Sequence, residues 1–180
     1  MKKLLLLLLV LVAGAANAQW QIAADNDPYD EYYKRAQVKG VIVKGSSTYS
    51  WLNVSHQGDD IDFYVNTSRL LKGEYKMDII FDNNKKPAFS DIDMLLSVDK
   101  KALFMYSSGY YKEIKNKIFK RMKNAAKMYI RIRDGQNRTV FVFYYTMKGS
   151  AATINKVINS YERKTGDNSY SITIRDPFTN

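Results

Sequence analysis

The sequence has no cysteine and a single histidine, and these absences exclude several kinds of chemistry. Without cysteine there can be no disulfide scaffold, cysteine-ligated zinc site, iron–sulfur centre or thiol nucleophile. One histidine is too few for a metal site built from several imidazoles. The chain also has no Gly-x-Ser-x-Gly, His-Glu-x-x-His or phosphate-binding glycine loop. We therefore expect no cofactor and no metal, and an enzyme would have to use carboxylates, lysines or tyrosines.

The composition fits one ordinary globular domain. The chain has 180 residues, of which 46% are hydrophobic and 26% are charged. Lysine and arginine together number 28 against 18 acidic residues, which gives a formal net charge of +10. The length predicts a single domain rather than two.

One long apolar run is present, and it lies at the N-terminus. Met1-Lys2-Lys3 is basic, Leu4 to Val12 is apolar, and Ala16-Asn17-Ala18 is a small-x-small cleavage site. The run is about half the roughly 20 residues that a bilayer-spanning helix requires. We predict a secretory signal peptide over residues 1–18, cleaved after Ala18, and no transmembrane segment after cleavage. The product is expected to be periplasmic or secreted.

A polar stretch follows the leader. Residues 19–37 are predicted to be a polar N-terminal lead-in, before a single α+β domain over residues 38–180. Four acidic residues surround Pro28 and could offer oxygen ligands to calcium: Asp25, Asp27, Asp30 and Glu31. The glycine and the closing carboxylate of an EF-hand loop are missing, so we favour a solvated segment over a calcium site.

Short runs rich in β-branched and aromatic residues come next, which is typical of antiparallel strands. We predict strands at about Val38 to Lys44, Tyr49 to Ser55, Ile61 to Asn66 and Glu74 to Phe81. In the last of these, Met77 and Ile79 alternate with Asp78, so Asp78 is predicted to face water. A polar linker over about Asp82 to Asp91 then precedes a buried strand at Ala102 to Tyr106.

The single histidine lies near several carboxylates at a turn between two of these strands. The group consists of His56, Asp59, Asp60 and Asp62. It could orient a general base or hold a metal. Because glycine and aspartate are also what a tight connection between strands requires, we favour the reading as a simple turn.

A cationic helix is predicted from about Tyr110 to Lys127. Apolar residues are spaced to form one stripe against the core: Tyr111, Ile114, Ile118, Met122 and Ala125. The opposite face carries the candidate binding residues Lys112, Lys120, Lys123 and Lys127. Three further cations are predicted to flank the stripe: Lys115, Lys117 and Arg121. Such a row could bind the phosphates of nucleic acid, lipopolysaccharide or anionic lipid, although lysines on a wet helix face are commonly only solubilising.

The C-terminal third alternates between strand and helix patterns. A hairpin is predicted from Met128 to Met147, with its second strand covered on both faces. Ser150 is predicted to cap a second helix that buries Ile154, Val157, Ile158 and Tyr161, and a last strand carries Tyr170, Ile172 and Ile174. The fold class is therefore α+β, an antiparallel β-sheet or sandwich of about eight short strands with two helices packed on it.

The order of these segments resembles a known family. The segments concerned are Trp20 with Asp27-Pro28-Tyr29-Asp30, Ala102-Leu103-Phe104, Ala125 to Arg133, and Phe143 to Val157. They resemble the type VI secretion-associated TagO/VasI family of small exported proteins, whose members typically carry cysteines that this chain lacks. The resemblance implies a periplasmic accessory factor without enzymatic activity, acting by binding or assembly, and it implies no catalytic residues.

Three functional hypotheses follow. The first is an exported, non-enzymatic binding or assembly module that presents a sheet edge or an aromatic surface to another envelope protein. The second is a cationic protein that binds anionic lipid, lipopolysaccharide or nucleic acid through the Lys112 to Lys127 helix. The third is a hydrolase that uses two carboxylates.

Overall fold

The computed structural model describes residues 19–24, 34–57, 60–106 and 109–165. These residues form nine strands and two helices. The strands are β1 (Gln21–Ala24), β2 (Lys34–Lys44), β3 (Ser50–Gln57), β4 (Asp60–Thr67), β5 (Tyr75–Phe81), β6 (Phe89–Leu96), β7 (Ala102–Met105), β8 (Lys127–Asp134) and β9 (Thr139–Thr146). The helices are α1 (Tyr110–Met122) and α2 (Ser150–Thr165).

The strands close into an antiparallel barrel, so the expected open sheet or sandwich is wrong. Eight strands follow one another in the order β2-β3-β4-β7-β6-β5-β8-β9, and β9 pairs back onto β2. Strand β1 is an additional strand paired to the first residues of β2. The protein is mostly β-structure, and closure leaves few unpaired strand edges.

The closure depends on the length and the irregularity of β2. This strand has 11 residues and pairs with β1 through its first part and with β9 through its last part, with a register shift between Ile42 and Lys44. At Gly40 the ring of Tyr145 lies so close that an added Cβ would be 2.4 Å from Cε1. A glycine inside a strand often marks such a close approach, and here it admits Tyr145 at the seam of the barrel.

The barrel interior is filled by side chains that alternate along each strand. Representative fully buried members are Val38, Leu52, Val65, Met77, Ile79, Leu103, Ile130, Ile132, Phe141 and Phe143. One polar pair lies among them, because the hydroxyl groups of Ser50 and Tyr145 are hydrogen-bonded to each other. Burial raises the pKa of Tyr145, so this phenol stays protonated.

Most of the strand predictions are confirmed, and one element was missed. The four strands expected between Val38 and Phe81 correspond to β2 to β5, and the strand at Ala102 and the hairpin after Met128 are also present. The expected linker up to Asp91 is wrong over its last three residues, because β6 begins at Phe89 and pairs with both β5 and β7. The alternation of buried and exposed residues in β6 is interrupted near Asp91, which adopts a left-handed backbone conformation with φ of 57°.

The N-terminal residues also contribute to the barrel. Residues 21–24 form β1, and Trp20 is buried and donates a hydrogen bond from Nε1 to the carbonyl oxygen of Thr146, at 2.9 Å. Residues 25–33, which contain the candidate calcium ligands, lie outside the described part of the chain, as does the expected last strand.

Helix α1 is shorter than expected and is rotated about its axis. It ends at Met122, whereas Lys127 is the first residue of β8. The buried residues are Lys115, Ile118, Phe119 and Met122, which confirms Ile118 and Met122 but leaves Ile114 and Tyr111 only partly buried. The expected flanking position of Lys115 is wrong, since this side chain is 1% exposed. The buried face packs near β4, where Phe119 lies 6.2 Å from Phe63 between ring centroids.

Helix α2 buries Ile154 and Val157, as predicted, against β2 and β3. Ser150 does not act as an N-cap. It is the first helical residue, and its hydroxyl donates to the carbonyl oxygen of Met122 at 2.7 Å, which links the two helices. Neither helix in the described chain combines the length and the apolar character that a membrane-spanning helix requires.

Candidate binding surfaces

The four lysines predicted as an anion-binding row lie on two elements of the structure. Lys112 and Lys120 are exposed on α1, Lys123 is half-buried at its C-cap, and Lys127 begins β8. At about 100° per residue, Lys112 and Lys123 lie on one flank of the helix and Lys120 lies about 80° away. Three of the predicted lysines therefore lie within an arc of about 80° on α1, and Lys127 lies apart from them on β8.

A different set of cations lines a cleft on the other flank of α1. The cleft has a volume of about 650 Å³ and lies between α1 and the β5–β6 loop, residues 82–88. Its lining residues are Phe81, Asp82, Asn84, Ala88, Phe89, Lys117, Lys120, Arg121, Asn124 and Ala125. We call it the α1 cleft. Of the predicted lysines, only Lys120 is among the residues that line it.

The α1 cleft has an aromatic floor beneath its cations. Phe81 is buried and Phe89 is half-buried, and their rings meet edge to face with centroids 6.4 Å apart. The guanidinium of Arg121 lies 5.9 Å from the centroid of the Phe81 ring, a cation–π distance. This contact holds Arg121 over the floor while its charge remains at the exposed side of the helix.

Two carboxylates near the α1 cleft have other partners. Glu113 lies 2.6 Å from Lys117, and this hydrogen bond lowers the pKa of Glu113 and raises that of Lys117. Asp82 uses Oδ1 to accept hydrogen bonds from the backbone N–H groups of Ala126 and Lys127, at 2.8 and 3.2 Å. Asp82 thereby fixes the loop against the start of β8, and Lys120 and Arg121 supply the positive charge of the cleft.

A buried ion cluster lies on the outside of the barrel, where the alternation predicted a solvent-facing Asp78. That expectation is wrong, because Asp78 is 0% exposed and is bonded to Arg131 and Arg133 of β8. Arg133 also reaches Asp91 of β6, at 2.8 Å. Burial alone would raise the pKa of Asp78, but the hydrogen bonds from Arg133, Asp91 and Arg131 outweigh it and hold the pKa below its usual value. The cluster ties β6, β5 and β8 together.

A second cleft, of about 600 Å³, is acidic and bears on the hydrolase hypothesis. Its carboxylates are Glu74, Asp91, Asp93 and Asp134. Three of them are engaged by cations: Asp91 by Arg133, Asp93 by Lys76 at 3.9 Å, and Asp134 by Arg138 at 2.8 Å. A carboxyl pair for glycoside hydrolysis needs one member that is protonated near neutral pH. The hydrogen bond from Arg138 holds the pKa of Asp134 below its usual value, which is the opposite of what the acid of such a pair requires.

The residues of the predicted histidine turn lie in and between two paired strands. His56 ends up in β3 and Asp60 in β4, with His56 paired in register to Ile61, whereas Asp59 lies outside the described residues. Within the described chain, no group of three or more His, Cys, Asp or Glu side chains is arranged to hold a metal ion.

The sequence predicts the cations of the α1 cleft but not its aromatic floor. Lys117 and Arg121 are four residues apart, which places them on one side of a helix. The aromatic floor comes from Phe81 and Phe89, whose proximity depends on the β5–β6 pairing that the linker prediction missed. Comparison of the chain with protein families, with curated proteins and with solved structures finds no match.

Proposed function

We propose that the protein is an exported, non-enzymatic binding module whose α1 cleft holds an acidic segment of another envelope protein. The observation that carries this proposal is the position of Lys120 and Arg121 above the aromatic floor formed by Phe81 and Phe89. A segment that combines carboxylates with an apolar side chain would satisfy both parts of the cleft.

The chemistry of the cleft favours this kind of ligand. Arginine pairs with carboxylates through two parallel hydrogen bonds, and lysine adds a mobile positive charge beside it. The partner's apolar side chain would contact the half-buried Phe89 and remove its exposed edge from water. A volume of about 650 Å³ lies in the ordinary range of ligand sites and is large enough for a few side chains.

Export and a role in assembly belong to the same proposal. The basic, apolar and small-residue segments of residues 1–18 support export. The resemblance to the TagO/VasI family supports an accessory role in type VI secretion. Binding of lipopolysaccharide or nucleic acid along Lys112, Lys120, Lys123 and Lys127 has less support, because Lys127 lies on β8 and Lys120 is the one member of the four that lines the α1 cleft.

The proposal is tested by titrating the purified protein with a synthetic peptide in which glutamates flank a phenylalanine, followed by NMR. We expect shift changes at the residues of the α1 cleft and affinity that falls with salt. The variant carrying Lys120→Glu and Arg121→Glu should bind at least about tenfold more weakly, since each lost charged hydrogen bond contributes about 1.5–3 kcal/mol.

The matched control carries Lys112→Glu and Lys156→Glu, an equal change of charge away from the cleft. Its affinity should be close to that of the unchanged protein. Equal weakening by both variants would show nonspecific attraction and would refute the cleft. A photo-crosslinker at Asn124, used in the intact cell envelope, should then capture a protein with an acidic segment, and the purified partner should show the same dependence on Lys120 and Arg121.

A further inference from the structure

The end of the barrel away from the α1 connections is formed by four loops. They are the β2–β3 loop (45–49), the β4–β5 loop (68–74), the β6–β7 loop (97–101) and the β8–β9 loop (135–138). Antiparallel hairpins alternate in direction, so these four loops meet at one end. Hydrogen bonds join them: Arg69 donates to the Ser46 hydroxyl at 2.7 Å, and the N–H of Leu71 donates to the Lys100 carbonyl at 2.8 Å. We call this surface the loop end.

Large apolar side chains at the loop end are exposed to solvent. Leu70 is 59% exposed and Val98 is 102% exposed, and Val43, just before the β2–β3 loop, is 58% exposed. Val98 lies in a tight turn that is closed by a hydrogen bond from the N–H of Lys100 to the Ser97 carbonyl. A polar residue is the ordinary choice in such a turn. Folding therefore does not account for valine at this position.

Cations surround these apolar tips. Those at or beside the loops are Lys44, Arg69, Lys72, Lys100, Lys101 and Arg138, and the nearby carboxylates are Glu74, Asp99 and Asp134. Two of the carboxylates have local partners, because Asp134 pairs with Arg138 and Asp99 accepts hydrogen bonds from Ser97 and Lys101. The remaining cations are exposed and give the loop end a positive charge.

A cleft opens among the tips. It has a volume of about 620 Å³ and lies around the buried rings of Tyr75 and Phe141. Its lining includes Arg69, Leu70, Lys72 and Arg138, the last of which is paired with Asp134. Cationic groups at its mouth and apolar groups at its base are suited to a ligand with an anionic head and an aliphatic body.

We infer that the loop end docks on an anionic lipid bilayer, with Leu70 and Val98 inserted among the lipids and Lys72 and Lys100 near the phosphates. Apolar groups of peripheral proteins enter the boundary between headgroups and acyl chains, and basic residues around them strengthen the attachment. This surface is separate from the α1 cleft, so the inference does not rest on the proposed peptide binding.

The composition of the loop end favours lipid over other anionic partners. Lysine is depleted in protein–protein interfaces, whereas the loop end carries several exposed lysines. Nucleic acid offers phosphates but no hydrocarbon that would receive Leu70 and Val98. An anionic bilayer offers both, and each lysine or arginine near its surface strengthens partitioning by about fivefold.

The test is co-sedimentation of the purified protein with vesicles of phosphatidylcholine alone or of equal parts phosphatidylcholine and phosphatidylglycerol. We expect binding to the second kind alone. The variant Lys72→Glu with Lys100→Glu should lower partitioning at least about tenfold, and the variant Leu70→Ser with Val98→Ser should lower it about tenfold. Thermal unfolding would show that both remain folded, since all four side chains are exposed.

Matched controls alter the same kinds of residue elsewhere. Lys112→Glu with Lys156→Glu repeats the change of charge, and Tyr110→Ser removes an apolar side chain that is also exposed. Both should bind vesicles like the unchanged protein. A Val98→Trp variant should be quenched by lipids brominated on their acyl chains, because insertion brings the indole to that depth.

Several results would overturn the inference. They are absence of binding to phosphatidylglycerol vesicles, full binding by Leu70→Ser with Val98→Ser, equal loss in the control variants, or no quenching of Val98→Trp. Loss confined to Lys120→Glu with Arg121→Glu would also overturn it, because it would assign lipid binding to the α1 cleft. Peptide binding should survive every loop-end substitution, so failure of one proposal is distinguishable from failure of the other.

Discussion

Arg133 holds both carboxylate oxygens of Asp78, with Nη2 2.7 Å from Oδ1 and Nε 2.9 Å from Oδ2. This two-point contact joins adjacent strands on the outer face of the barrel. Arg131 and the backbone N–H of Asp91 add further hydrogen bonds to the same carboxylate, at 2.7 and 3.0 Å. The Asp78 carboxylate is removed from water, but hydrogen bonds from Arg133, Arg131 and the Asp91 backbone take the place of water. A buried charge is tolerated when it is paired and hydrogen-bonded in this way.

Replacing Asp78 with asparagine should destabilise the protein markedly. The change leaves Arg133 largely buried with one carboxylate partner fewer, and removal of one member of a buried pair commonly costs 3–5 kcal/mol. Because Arg133 keeps Asp91 and Arg131 is partly exposed, we expect about 3 kcal/mol, measured by urea unfolding. Asp93→Asn removes an exposed carboxylate and should change the free energy of unfolding by about 0.5 kcal/mol or less. Similar losses in the two variants would contradict the account.

The contribution of Asp78 should depend on pH in a defined direction. Its pKa is lower in the folded protein than in the unfolded chain, where it is about 3.9. The stabilisation is therefore present above that value and is lost as pH falls through the lower, folded pKa. The difference in unfolding free energy between the unchanged protein and Asp78→Asn should be constant near neutral pH and should shrink in acid. A difference that grows in acid would refute this assignment.

The local alternation of the chain allowed most strands to be predicted, but not the way they close. Met77 and Ile79 are buried, as their alternation with Asp78 predicted. The same alternation predicted that Asp78 faces water. A pattern within one strand does not show that Arg131 and Arg133, more than 50 residues away, lie beside Asp78. Closure was missed for a similar reason: it requires β2 to meet β9, and the local signs of that contact were two glycines, Gly40 within β2 and Gly45 just after it.

For the α1 cleft, too, local sequence predicted the helix but not the contacts between distant segments. The cationic character of α1 was correctly predicted, but its buried face is rotated by roughly 50° from the predicted stripe, because Lys115 and Phe119 are buried whereas Tyr111 and Ile114 are only partly buried. The residues that a helix buries determine which of its lysines lie together on the exposed side. The aromatic floor of the α1 cleft depends on the pairing of β5 with β6, and periodicity within either segment carries no information on that pairing.

The hydrogen bond between Ser50 and Tyr145 should be measurable by a double-mutant cycle. Tyr145→Phe removes one partner and leaves the Ser50 hydroxyl buried without it, which should cost about 1–3 kcal/mol. Ser50→Ala should cost a similar amount for the same reason. The double variant should cost less than the sum of the two, because no unsatisfied hydroxyl remains. Strict additivity in the unfolding free energies would show that the two groups are not coupled.

Gly40→Ala should weaken the seam at which the barrel closes. The added methyl group would lie 2.4 Å from Cε1 of Tyr145, and because that ring is fully buried it has little room to move. Overpacking of this kind commonly costs 1–3 kcal/mol, so we expect about 2 kcal/mol in urea unfolding and faster amide exchange along β2 and β9. Gly135→Ala is the matched control, since the nearest heavy atom is 3.9 Å from its added methyl group and no backbone strain arises there. If Gly40→Ala were as stable as Gly135→Ala, with unchanged exchange along β2 and β9, close packing of Tyr145 against β2 would not contribute to closure.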